Sequence, residues 1–292
     1  MLSMRDRYGE VRYDETNPRS TTIAEGGRRL AVGARVNPPL VSIITVVFNA
    51  APELGSVVES VLALASPETE FIIIDGGSRD GTLELLRKWD LQVDYWVSGP
   101  DAGIYDAMNK GIAAAEGIYV LHLNAGDRLL CLPTECLRSC AQENVDVATF
   151  RVTIDGQEVF VPKVGLALKL SNTWHHQGTF YRRDVHPGYV SAYKIFGDMH
   201  VNQRLLKAGR SVKIFDTVVA DHRNNGISNS GQGSHELYRS IQANFGSIYL
   251  VPAFFRFKYL GLCNRVRQIL LSCRKRRTKR AKVALRTRDS DN

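Results

Sequence analysis

The sequence predicts an α/β protein, with a mainly parallel, Rossmann-like sheet flanked by helices and a basic helical extension at the C-terminal end. Two patterns carry this reading. Through residue 127, short runs rich in Val and Ile alternate with segments of helical apolar spacing, and that repeated strand-then-helix order implies parallel strands joined by right-handed crossovers. The charge is also segregated: Leu250 to Asn292 holds thirteen Lys or Arg against two Asp, a net of +11, which leaves the preceding 249 residues at −3 within a total of +8. A slightly acidic body precedes a strongly basic tail.

Residues 1 to 39 show no sustained periodicity and end at Asn37-Pro38-Pro39, which reads as a loosely ordered arm. Val41 to Val47 is a strand, and Leu54 to Ala65 has helical spacing through Val57, Val58, Val61 and Leu62. Phe71 to Ile74 is a second buried strand, Gly81-Thr82 opens a helix running to about Trp89, and Val93 to Val97 is a third strand. Ile104, Met108 and Ile112 then form one helical stripe, leaving Tyr105, Asp106 and Asn109 off it. Ile118 to Leu123 is a core strand, and Asn124 to Asp127 follow at its C-terminal end, the place where open α/β sheets bind ligands.

Beyond Asp127 the pattern changes. Pro133 to Gln142 reads as helix, and Asp146 to Ile154 with Gln157 to Val161 flank the turn Asp155-Gly156 as a hairpin. Phe196 to Ala208 is helical, Ser211 to Val219 is a strand, Asn224-Asn225-Gly226 breaks the pattern, and a basic helical tail follows from about His235. The expected organisation is an arm (1–39), one domain (40–235, with halves 40–127 and 128–235) and a tail (236–292).

With 292 residues, 44% hydrophobic and 23% charged, the chain can bury a sizeable core. Its first forty residues lack an apolar signal region. No run reaches the roughly 18 to 20 apolar residues of a membrane-spanning helix, so the expected location is the cytoplasm. Five cysteines, Cys131, Cys136, Cys140, Cys263 and Cys273, are odd in number and lack C-x-x-C spacing, which indicates neither a disulfide framework nor a zinc site. No G-x-G-x-x-G follows the first strand, which disfavours a dinucleotide-dependent oxidoreductase.

Several residues carry chemistry by type and place. Asp75 ends a buried strand ahead of Gly76-Gly77-Ser78; its carboxylate either accepts the imide N–H of a uracil or thymine base or caps the turn. Phe48 and Asn49, at the first strand's end, suit base stacking and loop holding, although a strand-end Asn is by default a turn former. Asp101, Tyr105, Asp106 and Asn109 surround a helix start, whose free N–H groups attract phosphate. Lys110 either adds charge toward that phosphate or lies on a solvated surface.

VSIITVVFNA (Val41 to Ala50), FIIIDGGSRDGT (Phe71 to Thr82), GIYDAMNKGI (Gly103 to Ile112), LNAGD (Leu123 to Asp127), HQGTFYRR (His176 to Arg183) and FGDMHVNQRLLKAG (Phe196 to Gly209) occur in that order. Together they resemble the inverting family 2 glycosyltransferases of the GT-A fold, particularly those that build bacterial polysaccharides. The resemblance implies metal-dependent transfer of a sugar from a nucleoside diphosphate sugar, UDP or dTDP favoured, to a hydroxyl of a glycan or lipid-linked acceptor. LNAGD stands in place of the family's D-x-D motif; Asn124 and Gly126 occupy positions where acids often occur. Asp127 alone is left to bind Mg2+ or Mn2+ directly, with Asn124 beside the nucleotide sugar.

The family often shows two adjacent acids where this chain has Asp75-Gly76, and Val46-Val47 replaces a common Pro-Thr. Asp198 matches the family's base, which removes the acceptor proton; an N-cap role for it is compatible with that. The positive end of a helix there favours a negative charge. The resemblance puts His176 and Gln177 in the sugar or acceptor pocket and His222 and Arg223 in a loop closing over the diphosphate, together with Ser228. A metal pair at His175-His176 is rejected, since adjacent side chains point in different directions.

The tail from Tyr249 to Lys282 interleaves aromatic and aliphatic residues with Arg256 and Lys258 before a basic cluster, Arg274 to Lys282. It suits peripheral contact with an anionic membrane, which places the protein at the inner face of the cell membrane. The alternatives are an ordinary packing helix or nucleic-acid binding by the same charges, and no nucleic acid is the expectation. A catalytically silent nucleotide-sugar-binding partner is the remaining rival reading.

Overall fold

The computed structural model describes residues 24–32, 37–223 and 234–259; the expected break at Asn224 to Gly226, Ser228 and the cluster Arg274 to Lys282 lie outside the described residues. The strands are β1 (Ala24–Gly26), β2 (Val41–Val47), β3 (Thr69–Asp75), β4 (Tyr95–Ser98), β5 (Tyr119–His122), β6 (Arg128–Leu129), β7 (Val147–Ile154), β8 (Glu158–Phe160), β9 (Thr179–Arg182) and β10 (Val212–His222). The α-helices are α1 (Arg28–Val32), α2 (Ala51–Leu62), α3 (Thr82–Lys88), α4 (Ile104–Ala114), α5 (Thr134–Gln142), α6 (Leu166–Leu170), α7 (Gly197–Lys207) and α8 (Ser234–Phe245). Residues 250–259 are helical as well.

All ten strands form one sheet in the order β1-β4-β3-β2-β5-β9-β7-β10-β6, with β8 paired to β7. The quartet β4-β3-β2-β5 is parallel throughout, as the strand-then-helix order predicts. Every residue of β2, β3 and β5 is buried, and these strands read as near-continuous apolar runs with a few buried polar residues such as Ser42, Thr45 and Glu70. Val41, Ile43 and Val47 of β2 pack with Leu54, Val57 and Val58 of α2 on one face. Ile44 and Val46 pack with Met108 and Ile112 of α4 on the other.

The second half of the sheet is mixed. Strand β9 runs antiparallel to both β5 and β7, β10 is parallel to β7, and β6 is antiparallel to β10. The expected hairpin is β7-β8, turning through Asp155 (φ 51°) and Gly156 (φ 63°), the left-handed pair that two-residue hairpins favour. Because β2, β3 and β5 are parallel, Phe48, Gly76 and Asn124 emerge along one sheet edge, and the site is built there.

Three expectations are corrected. Within the stretch expected to be loose, β1 pairs antiparallel with β4. Arg29 of α1 there reaches Glu70 at 3.0 Å and the Ala114 carbonyl at 2.8 Å, and lies over the Tyr95 ring. Docking by main-chain pairing and by the ion pairs of Arg28 with Asp94 and of Arg29 with Glu70 and Glu116 leaves no apolar period to read. On α4, Met108 and Ile112 are buried as expected, but Tyr105 is buried as well and Ile104 is 43% exposed, so the stripe is shifted at its first turn. The body also continues past residue 235: Leu237, Ile241 and Ala253 form a core with Leu170 and Met199. Among the described residues no helix is long and apolar enough to cross a membrane.

Candidate active site

A tight loop after β5, with Gly126 at φ 91°, delivers Asp127 into the interior, where its carboxylate is almost fully buried. Three donors converge on it. The Gln177 amide donates to Oδ2, the Arg223 backbone N–H donates to Oδ1 at 2.8 Å, and His222 Nδ1 lies 3.1 Å from the same oxygen. His222 is the last residue of β10, so the strand runs on beyond its expected end at Val219 and carries the imidazole to the site.

Asp198 faces the same space from α7. The helix begins at Gly197, with Phe196 at its cap position and no capping side chain, so Asp198 lies inside the first turn and the N-cap expectation is corrected. Asn172 donates to its Oδ2 at 2.8 Å, and His176 Nδ1 lies 3.2 Å from that oxygen. The Asn124 amide sits 3.0 Å from His176 Nε2. With the amide donating there, the ring proton belongs on Nδ1 and points at Asp198. Behind Asn172, Asn202 donates to its carbonyl at 3.0 Å and accepts from the Tyr181 hydroxyl at 2.7 Å.

The backbone entering α7 is gripped on both sides. Glu236 of α8 accepts from the N–H groups of Lys194, Ile195 and Phe196 at 2.8 to 3.1 Å. The Tyr105 hydroxyl accepts from Gly197 at 2.8 Å and more weakly from Asp198, while donating to the Ile195 carbonyl at 2.7 Å. A Cβ on Gly197 would fall 2.6 Å from the Tyr105 ring, so the glycine permits this approach. Burial, and then the Asp198 charge, push the Tyr105 phenol well above its ordinary range and keep it protonated.

The donor set around Asp127 fits a hard divalent cation. Asn124 Oδ1 and Gln177 Oε1 are buried without a hydrogen-bond partner, two amide oxygens beside a carboxylate. Among the described residues no three His, Cys, Asp or Glu gather as a metal cluster. His175 packs against the rings of His176 and His222; burial, and then those two imidazoles, hold it well below its ordinary range and neutral.

At the nucleotide end, Phe48 is 63% exposed. A Cβ on Gly76 would meet Asp101 Oδ2 at 2.6 Å and the Phe48 ring at 3.2 Å, so these two side chains flank one notch. Asp75 is buried and already accepts from the Ser78 N–H and hydroxyl and from the Ser98 hydroxyl at 2.6 Å. Of its two readings, the structure favours the turn-holding one. Asn49, at φ 49°, ties its loop to the Arg79 N–H at 3.0 Å.

The residues expected beside the nucleotide at the start of α4 have partners within the protein. Asp106 accepts from Ala102 N–H and pairs with Lys110, which donates to the Pro100 carbonyl; Gly103 N–H goes to Asp101. Asn109 clamps the backbone of Tyr189 through both amide atoms. Tyr105 is an interior residue holding α7.

The family model described as Glycosyl transferase family 2 matches residues 42–201, more than half of the chain. The chain belongs to this family. An uncharacterized glycosyltransferase of Mycobacterium tuberculosis is 44% identical over 91 residues, covering 31% of this chain and 35% of that protein. A Bacillus subtilis protein named for teichuronic acid biosynthesis, TuaG, is 36% identical over 95 residues, covering 31% of this chain and 37% of that protein. The chain thus spans about a third of the length of the curated relatives it matches. The crystal structure of S. aureus TarS 1-349 in complex with UDP-GlcNAc superposes with a TM-score of 0.54 at 20% identity, over 70% of this chain and 66% of that one. That likeness shows the GT-A fold.

Beside the residues singled out in the sequence, the structure places three side chains that the sequence did not single out. Asn172 steadies the Asp198 carboxylate, and Glu236 holds the backbone ahead of it. The Lys194 ammonium lies 3.8 Å from where a Cβ on Gly103 would stand, a cation aimed at the loop where Lys110 is tied down. None of the three belongs to a motif; each is placed by contacts between distant segments.

Proposed function

We propose that this chain is an inverting glycosyltransferase that moves a sugar from a nucleoside diphosphate donor to a hydroxyl of a glycan or lipid-linked acceptor in bacterial surface polysaccharide assembly. One observation carries the reading. Two adjacent residues of the 3-10 turn His176–Gly178 reach apart to the two carboxylates, His176 to Asp198 and Gln177 to Asp127. A donor-side acid and a candidate base are thereby fixed to one rigid segment, a preorganised arrangement of the kind proton transfer at a bound sugar requires.

Asp198 takes the proton from the acceptor hydroxyl as that oxygen bonds to the anomeric carbon. The bond from that carbon to the diphosphate oxygen breaks on the opposite face, and its electron pair leaves with the nucleoside diphosphate. Asp127, His222 and the amide oxygens of Asn124 and Gln177 are the residues that would hold Mg2+ or Mn2+. Such an ion, when bound, neutralises charge on the departing diphosphate. Lys194 offers further positive charge beside Gly103. Phe48 supplies a stacking face, and Asp101 takes over the base-reading role first expected of Asp75, as an acceptor for an imide N–H. The name of TuaG supports the polysaccharide setting, and the UDP-GlcNAc complex of TarS supports a uridine donor.

A thermal-shift panel of UDP-, dTDP- and GDP-sugars, each with and without manganese, tests this reading. UDP or dTDP donors should raise the melting temperature, more so with metal, because a ligand of the native state stabilises it. Stabilisation by GDP-sugars alone would overturn the base assignment, and no shift with any donor would favour a protein without donor binding.

A further inference from the structure

We propose that the outer face of the helix at residues 250–259 is a docking surface for an anionic lipid bilayer. The inner face of this helix is spoken for: Ala253 is buried in the core with Leu237, Ile241 and Met199, and Arg256 Nε donates to the Ser171 hydroxyl at 2.9 Å. The outer face is rich in large apolar side chains, with Lys258 exposed among them over the Phe254 ring. Val251 and Phe255, four residues apart, are 64% and 66% exposed, with the half-exposed Phe254 and Phe257 beside them and Ile248, 82% exposed, in the turn Ser247–Tyr249 just ahead of the helix. A helix packed on a domain normally turns its apolar stripe inward and its charges outward, and here the large apolar side chains point to solvent.

The sequence that follows distinguishes among occupants of this face. Residues 260–292 carry eleven Lys or Arg and two Asp, a net of +9. A bilayer with anionic headgroups satisfies both features, taking the side chains into its acyl boundary and the basic residues at its surface. A nucleic acid would answer the charge and leave the aromatic stripe in water. A second copy of this chain would cover the stripe while bringing one +9 segment toward another.

The position gives the contact a use. Ser171, held by Arg256, immediately precedes Asn172, which donates to Asp198, and Leu166 at the head of α6 is exposed. With Asp198 deprotonating the acceptor, as in the proposed function on which this step rests, a lipid-borne hydroxyl meets its base next to the membrane-facing helix. Bilayer binding itself requires no catalysis.

Co-sedimentation of the full chain with vesicles tests the proposal, using phosphatidylglycerol and phosphatidylcholine in roughly equal parts against phosphatidylcholine alone. The protein should sediment with the anionic vesicles, less with the neutral ones, and be released as salt rises. The double variant Val251→Ser, Phe255→Ser should lose at least about tenfold in partitioning, with unchanged melting temperature and donor-induced shift. Phe255→Leu, which keeps the apolar face, should retain binding. Wild-type protein left in the supernatant, or a Ser variant that binds like wild type, overturns the proposal. So does a dimer that disappears in the Ser variant, or oligonucleotide binding, where vesicles are ignored. A wild type that binds vesicles but no nucleotide sugar leaves this proposal standing and removes only the sugar-transfer reading.

Discussion

Asp198 lies one residue inside its helix, and that offset decides what Tyr105 does. Two N–H groups of the first turn of α7 have no partner within the helix, and the Tyr105 hydroxyl takes both. The sequence reading placed Tyr105 among the nucleotide contacts; in the fold it is buried, and its hydroxyl holds the backbone at the start of α7, the helix of the proposed base. Tyr105→Phe keeps the ring and deletes the hydroxyl, which should cost about 1–3 kcal/mol of stability. Transfer should fall by roughly tenfold or more as the base shifts, while donor-induced melting shifts stay at wild-type size. Normal turnover in this variant, or lost donor binding, would return Tyr105 to another role. Residue types were legible in the sequence here, and partners were not: Asp75 reads as a strand-end acid facing a ligand, yet Ser78 and Ser98 use its oxygens.

The element that holds the site in place is α8, which the charge pattern had assigned to a tail. Glu236 opens this helix and accepts three consecutive backbone N–H groups ahead of α7. Burial raises its carboxyl, but those donors and the neighbouring His235 outweigh burial and hold it below the ordinary glutamate value of 4.5. A carboxyl depressed in the folded state stabilises the protein above its unfolded value, and that contribution fades as pH falls through the folded one. Urea unfolding at about pH 7 and about pH 4 should therefore show a larger loss for wild type than for Glu236→Gln. Equal losses would mean that Glu236 does not grip α7. Strands β2, β3 and β5 were legible because burial on both faces favours near-continuous apolar runs, such as Phe71 to Ile74 in β3. The antiparallel β9, the extent of β10 and the docking of α8 were not, since they are set by pairings between segments far apart in sequence.

Across the whole molecule, the chain divides its work along the sheet. The parallel half brings Phe48, Gly76 and Asn124 to one edge, and the mixed half returns His176, Gln177 and His222 to the same edge. At the other end of the strands, Arg29 clasps the buried Glu70 and covers the Tyr95 ring, closing an edge the sequence left open. The order of the motifs foretold the fold, but the pairing of the two carboxylates through one turn follows from the topology alone. In the proposed division of labour, Asp127 serves the donor and Asp198 serves the acceptor. Transfer rate measured beside metal-dependent donor melting shift, for Asp198→Asn and Asp127→Asn, tests it most directly. Asp198→Asn should keep the donor shift and lose about 10²- to 10⁴-fold in turnover, whereas Asp127→Asn should lose the metal-dependent part of the shift. Near-normal turnover in Asp198→Asn, or a donor shift that disappears there and survives in Asp127→Asn, would contradict the claim.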